Sequence, residues 1–218
     1  EGLVDYVVPS EFFHTDTNMK TEDFVKLTEG TDCKVYPAIH NQISMDAPNE
    51  HFKLMNQANF RAAAQNFYAF GADGISPYNY QRGWGRRFAA EVRASSYACY
   101  MWPAALGWLR ELRDPQEIAE EDRHYLFYAL HKKRQTAGGY PSDENIYLNA
   151  GNGVLEGSRR FRMAEDMSDT RLRATMQFKV LGLTDPGGRS NIRSAGDRLG
   201  IRINGAEVPP EYITIVYD

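Results

Sequence analysis

The feature that most constrains this chain is an alternation of short apolar runs with helix-period segments through its first half. Residues 3–8, LVDYVV, form a nearly unbroken apolar run, which reads as a strand buried on both faces. TEDFVKLTEG follows as a short helix: Thr21 is the expected cap, Phe24, Val25 and Leu27 the inward face, and Gly30 the left-handed stop. CKVYPAIH is a second strand. From about 49 to 70, Phe52, Met55, Phe60, Ala63, Phe67 and Phe70 recur near helical period, and Gly71 ends the run. ADGISPYNY supplies a third strand. A further helix is expected over 104–112, with Trp108 and Leu112 on one face, and Asp114-Pro115 restarts another with Asp as N-cap.

Strand–helix–strand–helix–strand is the pattern of βαβ units and a parallel sheet. The second half differs. HYLFYAL, NIYLNA, SRRFRMAED, RLRATMQFKVLGL, RLGIRING and EYITIVYD are strand-like, and several alternate polar with apolar residues. Asn204-Gly205 is a hairpin-turn signal. Short strands separated by turns predict an antiparallel β-sandwich. The expected organisation is α/β followed by all-β, with residues 1–122 as the last βα units of a partial (β/α)8 TIM-type barrel and 123–218 as the sandwich. Three βα units do not close a parallel fold, so the chain is expected to be the C-terminal piece of a larger barrel of about 250 residues when complete.

Composition narrows the function classes. A formal net charge of −4 argues against a generic nucleic-acid binder, which relies on a basic footprint. No stretch approaches the ~20 apolar residues of a membrane span. Cys33 and Cys99 are far apart and make neither a disulfide framework nor a zinc cluster, so both are expected as buried thiols. HExxH, GxSxG, P-loop and GxGxxG motifs are missing, which removes the usual support for zincins, ordinary α/β-hydrolases, P-loop NTPases and Rossmann dehydrogenases. No cofactor is expected. His14, Asp16 and Asn18 would share one side if that stretch is extended, but they lack the ligand number of a calcium loop, and no metal is expected there.

In parallel barrels the active face is built from the C-terminal ends of the strands. Here those ends read Ser10-Glu11, His40-Asn41-Gln42 and Tyr78-Asn79-Tyr80-Gln81-Arg82, each polar directly beyond an apolar strand. Glu11 is the candidate catalytic carboxylate, since glycosidases use two carboxyl groups flanking the scissile bond. It reads equally as a loop carboxylate paired with a lysine. His40 and Asn41 offer donors and acceptors suited to sugar hydroxyls, or a histidine satisfied at the rim. Tyr78, Tyr80 and Trp84, with Asn79 between them, suit either a stacking platform for a sugar ring or a seal on the barrel end. Arg82, Arg86 and Arg87 read as a solvated turn with salt bridges, or as a site for an acidic sugar. Asp5, inside its apolar run, is expected to be buried and to hydrogen-bond within a barrel layer, and Asp73 to cap or pair just before its strand.

GLVDYVVPS, VYPAIHNQ, AAQNFYAFGADGISPYNY, LRELRDPQEIAEEDRHYLFY and FRMAEDMSDTRLRATMQFKV…LGIRINGAEV, taken together, resemble the C-terminal portion of the glycosyl-hydrolase-like barrel proteins related to family ten. That resemblance implies a barrel followed by a small β-sandwich, in a secreted, periplasmic or cell-envelope protein, often bacterial, that processes carbohydrate. Family-ten glycosidases place a nucleophilic glutamate at the end of a late strand, and neither IHNQ nor SPYNY supplies one. Two functions are therefore expected. One is a fragment of a glycoside hydrolase acting on a poly- or oligosaccharide, inactive alone because part of its cleft is missing. The alternative is a non-catalytic carbohydrate-binding barrel with a structural β-sandwich. Neither nucleic acid nor membrane is an expected partner, and the strand edges of a truncated barrel would allow self-association.

Overall fold

The computed structural model describes residues 3–10, 17, 19–40, 55–78, 102–125, 156–158, 160–178 and 199–215. The chain divides into two compact units, Glu1–Glu165 and Asp166–Asp218.

In the first unit, β1 (Tyr6–Val7) pairs in parallel with β2 (Lys34–Val35), and β3 (Ala38–His40) pairs in parallel with β4 (Ser76–Tyr78). Backbone hydrogen bonds extend both ladders. Lys34 N donates to Asp5 O at 2.9 Å, Tyr36 N to Val7 O at 3.0 Å and Ala38 N to Pro9 O at 2.8 Å. On the other edge, Asp73 N donates to Val35 O at 2.9 Å and Ser76 N to Pro37 O at 3.0 Å. Residues 34–40 thus act as one strand between β1 and β4, interrupted at Pro37, which has no N–H to donate. The three segments lie side by side in chain order, and they are linked through helices.

The first of those helices, α1 (Thr21–Thr28), begins one residue before the expected cap is used. Lys20 is the N-cap and makes no side-chain cap bond, while Thr21 is the first helical residue and fully buried. Glu22 and Asp23 in the first turn and Lys26 in the last complement the helix dipole. Gly30 has φ +76°, the left-handed stop its sequence position suggested. Phe24 and Leu27 are exposed, not inward. Val25 makes the contact that matters: a Cβ on Gly71, itself at φ +94°, would meet Val25 Cγ1 at 3.1 Å.

Helix α2 (Gln57–Ala69) starts later than the apolar periodicity suggests, because Asn56 stops it. Asn56 Oδ1 accepts from Asn59 N at 2.9 Å and Asn59 Oδ1 accepts from Asn56 N at 3.0 Å, a capping box built from two asparagines. Its inner face buries Phe60, Ala63, Ala64 and Phe67 completely, against Ile39 of β3, against Trp108 and Ile118 of the next two helices and against Leu112 in the turn between them. These are α3 (Trp102–Glu111) and α4 (Pro115–Glu120). Asp114 Oδ1 caps α4 by accepting from Gln116 N at 2.8 Å, with Pro115 at the first helical position. Polar bonds fasten the end of α3 and the turn after it to α2: Arg61 pairs with Glu111, Gln57 Nε2 donates to Glu111 Oε2 at 2.6 Å, and Tyr68 OH donates to Leu112 O, just past the helix, at 2.8 Å.

Residues 160–165 also belong to this unit. Arg162 lies 3.6 Å over the Phe70 ring and 2.9 Å from Glu22. Buried Asn66 donates through Nδ2 to Thr17 O at 2.9 Å and Arg162 O at 2.8 Å, binding two distant backbone segments to α2.

The expectation that residues 3–8 are buried on both faces is corrected. Leu3 is 90% exposed, and Val4, Tyr6 and Val8 are exposed as well. Among the described residues β1 is hydrogen-bonded along one edge, to β2. A parallel strand keeps its apolar side chains dry only where helices or further strands lie over it. Asp5, in the same segment, is exposed as well, not held within a barrel layer.

In the second unit, β5 (Arg202–Ile203) and β6 (Ala206–Glu207) form an antiparallel hairpin around Asn204 (φ 51°) and Gly205 (φ 83°). Two successive positive φ values are what a two-residue hairpin turn of this hand requires. Pro210–Tyr212 is a short 3-10 turn that takes in the first two residues of the expected strand over 211–218. Residues 160–163 in the first unit and 171–178 in the second, also read as strands, are not strands, and Phe161, Met176 and Phe178 are exposed. The expected strands over 124–130 and 145–150 fall almost wholly outside the described residues.

Two phenols give the first unit an alkaline sensitivity. Burial raises the pKa of Tyr68 above the ordinary 10.0, with the Asp114 charge adding to it. Burial raises that of Tyr125 much further, assisted by the neighbouring Glu165 carboxylate. A pKa raised in the folded state contributes stability that is present below the unfolded value, about 10, and is lost as pH rises past it. The thermal midpoint is therefore expected to fall steeply above about pH 10. The fall should be shallower in Tyr125→Phe; an identical slope in the variant would remove Tyr125 from the account.

Candidate functional site

The C-terminal ends of three neighbouring strands converge on His40. As the last residue of β3 it pairs with Tyr78, the last residue of β4. Their rings lie 4.6 Å apart between centroids at a 50° tilt. From the other side, Ser10 Oγ and His40 Nε2 form a 3.0 Å hydrogen bond across 30 residues of sequence. His40 is only 4% exposed, whereas Tyr78 is 46% exposed and Ser10 is exposed. A buried imidazole is thus flanked by an exposed serine and an exposed tyrosine, from the neighbouring segments on either side.

Local sequence explains the convergence. Pro9 is buried, and its carbonyl accepts the last bond from the neighbouring strand, so Ser10 is the first residue beyond the β1 ladder. The three-residue pairing of β3 with β4 fixes His40 opposite Tyr78. Packing of Ile39 into the core on one face leaves its successor, His40, directed to the other face, as strand alternation demands.

Of the sequence-predicted site residues, the structure brings His40 and Tyr78 into ring contact. Glu11, Asn41, Asn79, Tyr80 and Trp84 lie outside the described residues, as do Arg82, Arg86, Arg87 and the His14-x-Asp16-x-Asn18 group. Ser10 stands at a polar strand tip in the sequence but has no role assignable from it. Its signal is positional, a hydroxyl directly after Pro9 at the end of an apolar run and next to Glu11.

The opposite ends of the same strands carry a different chemistry. An open groove of about 440 Å³ there is lined by Glu22, Lys26, Cys33, Lys34 and Asp73 among others. Asp73 Oδ2 accepts from Val35 N at 2.9 Å, and its Oδ1 lies 3.1 Å from Lys34 Nζ. The backbone N–H of Val35 and then the Lys34 ammonium hold the Asp73 carboxyl below its usual range. These contacts tie the entrance of β2 to the entrance of β4. N-terminal strand ends in parallel α/β folds serve stability, and ligands bind at the C-terminal ends. Cys33 is half-buried rather than buried, and Cys99 is outside the described residues.

Among the described residues no group of three or more His, Cys, Asp or Glu side chains could hold a metal ion. Among the same residues no helix is long and apolar enough to cross a membrane. No protein-family profile matches the chain, and neither does any curated protein sequence.

Proposed function

We propose that this chain is the C-terminal part of a glycoside-hydrolase-like barrel protein, secreted or held in a bacterial cell envelope, whose strand tips contact a poly- or oligosaccharide. The supporting observation is the convergence of Ser10, His40 and Tyr78 at the C-terminal ends of three parallel strands that lie side by side in chain order. Ring faces and fixed hydroxyl and imidazole groups are the materials of sugar recognition, where flat apolar sugar faces pack on aromatics and hydroxyls need paired donors and acceptors. Glu11 is the proposed catalytic carboxylate, with its partner supplied by a strand outside these 218 residues, and Asn41, Asn79, Tyr80 and Trp84 are proposed sugar contacts.

One observation favours the second reading, a carbohydrate-binding barrel without hydrolysis. β3 and β4 end in a histidine and a tyrosine, where the resemblance to family-ten glycosidases implies a nucleophilic glutamate at the end of a late strand. Titration of the 218-residue chain with a panel of plant and bacterial oligosaccharides separates the possibilities. Binding is expected for at least one, weakened about tenfold or more by Tyr78→Ala, which corresponds to roughly 1.4 kcal/mol. Aryl-glycoside turnover is expected to be undetectable. Turnover that disappears in Glu11→Gln would establish hydrolysis by this chain, and no binding by any saccharide would remove both readings.

The exposed apolar edge at β1 supports self-association as well. Sedimentation velocity is expected to show a concentration-dependent rise in mass, reduced in Val4→Lys/Tyr6→Lys; a monomer at all concentrations would count against it.

A further inference from the structure

The contact between Ser10 and His40 has the geometry of an activated nucleophile. A serine hydroxyl attacks well only when a base lies within about 2.6–3.2 Å to take its proton, and when a further group orients that base. Ser10 Oγ is 3.0 Å from His40 Nε2. The imidazole is 4% exposed, its backbone is fixed by pairing with β4, and its ring is packed against that of Tyr78. The base is therefore held rigidly while the serine stands at the accessible side. Both residues sit at the end of the strands where parallel α/β folds place their chemistry.

We propose that Ser10 and His40 are a nucleophile–base pair for acyl transfer, acting on O-acyl esters. Ser10 Oγ attacks the ester carbonyl carbon, forming the Oγ–C bond as its proton passes to His40 Nε2. The tetrahedral adduct collapses with cleavage of the C–O bond to the alcohol, which leaves with the proton from Nε2. Water then attacks the acyl-serine, giving one proton to Nε2, and the carboxylic acid departs as that proton returns to Oγ. The sum is ester plus water to acid plus alcohol, with no redox change and no other reactant. This chemistry needs neither a carboxylate pair nor a second strand-end acid, in keeping with a histidine and a tyrosine at the ends of β3 and β4. Acyl transfer does not rest on the carbohydrate reading. If that reading also holds, the alcohol is a sugar hydroxyl and the substrate an O-acylated saccharide.

The test is a fluorophosphonate probe on the folded 218-residue chain, with folding checked by circular dichroism. One-to-one labelling is expected, mapped by peptide mass spectrometry to Ser10, with slow hydrolysis of p-nitrophenyl acetate. Ser10→Ala should abolish both. His40→Gln should slow labelling about 100-fold or more, the usual scale of a general base. Because His40 is buried and its replacement can disturb the fold, Ser10→Cys gives a second readout. The introduced thiol should alkylate with iodoacetamide faster than Cys33 at pH 7, through the imidazole beside it. Absence of probe on Ser10 in the folded protein overturns the proposal, as does labelling undiminished in a folded His40→Gln variant. An introduced thiol no faster than Cys33 also overturns it. Saccharide binding without probe labelling would refute acyl transfer while leaving the carbohydrate reading intact.

Discussion

Arg123→Met is expected to destabilise the first unit by about 3–5 kcal/mol, the usual result of removing one partner from a buried ion pair. The Arg123 and Glu165 side chains are 10% and 8% exposed, and the guanidinium Nε donates to a Glu165 carboxylate oxygen. Its Nη1 also donates to Ile118 O at 2.9 Å, Ala119 O at 2.8 Å and Glu121 O at 2.7 Å. These carbonyls lie at the C-terminal end of α4, where helix geometry leaves acceptors to be filled from outside, although Ile118 O also accepts from Glu121 N at 3.3 Å. One side chain thus closes a helix and neutralises a carboxylate. Methionine keeps most of the aliphatic volume and removes every donor, so the change isolates the polar contribution. Urea denaturation should show a lower midpoint with the slope unchanged. Pairing the change with Glu165→Gln should restore a substantial part of the loss, because the orphaned charge is then gone. A double variant no more stable than Arg123→Met alone would place the stabilisation in the helix-end carbonyls instead.

The same residues show which parts of this fold a sequence exposes. The start of α4 was legible because Asp114-Pro115 is a local device, complete within four residues. The ends of α1 and α2 were legible for the same reason, since Gly30 and Gly71 each take a positive φ. The start of α2 was not, because Asn56 and Asn59 cap each other and neither belongs to the usual Ser/Thr-x-x-Glu/Gln pattern. Burial of residues 3–8 was misread because apolar content records what a strand can tolerate on its faces, not what lies on them. Residues 171–178 alternate as a strand would, yet alternation needs a partner ladder to become one, and none is formed there among the described residues.

The candidate site divides along the same line. That His40 and Tyr78 lie at strand ends follows from the apolar runs that precede them. That Ser10 reaches His40, and that His40 meets Tyr78, depends on inter-strand register across 30 and 38 positions, which no local pattern records. Sequence could therefore name the tips but not their partners. Glu11 drew the functional reading because a carboxylate is conspicuous in a glycosidase context, whereas a serine acquires chemical meaning only once a base is beside it.

Phe60→Ala should have a comparable effect, about 3–5 kcal/mol, for an entirely apolar reason. Phe60 is 0% exposed and sits in the cluster that joins α2 to Ile39 of β3 and to α3 and α4. Its ring centroid is 6.1 Å from that of Trp108 at a 43° tilt, within the range of favourable aromatic pairs. Truncation removes the ring from the core and leaves a cavity that the surrounding helices fill only in part. The aromatic pair itself should account for a coupling of about 0.5–1.5 kcal/mol between Phe60→Ala and Trp108→Ala, read from a double-mutant cycle. The cycle also reaches the candidate site. Ile39 immediately precedes His40, so loosening α2 against β3 should broaden or shift the His40 and Tyr78 ring resonances in NMR spectra before the unit unfolds. If the core loses its expected stability while those resonances stay unchanged, the strand tips are held by their backbone ladder alone, and α2 is a support for stability and not for the site.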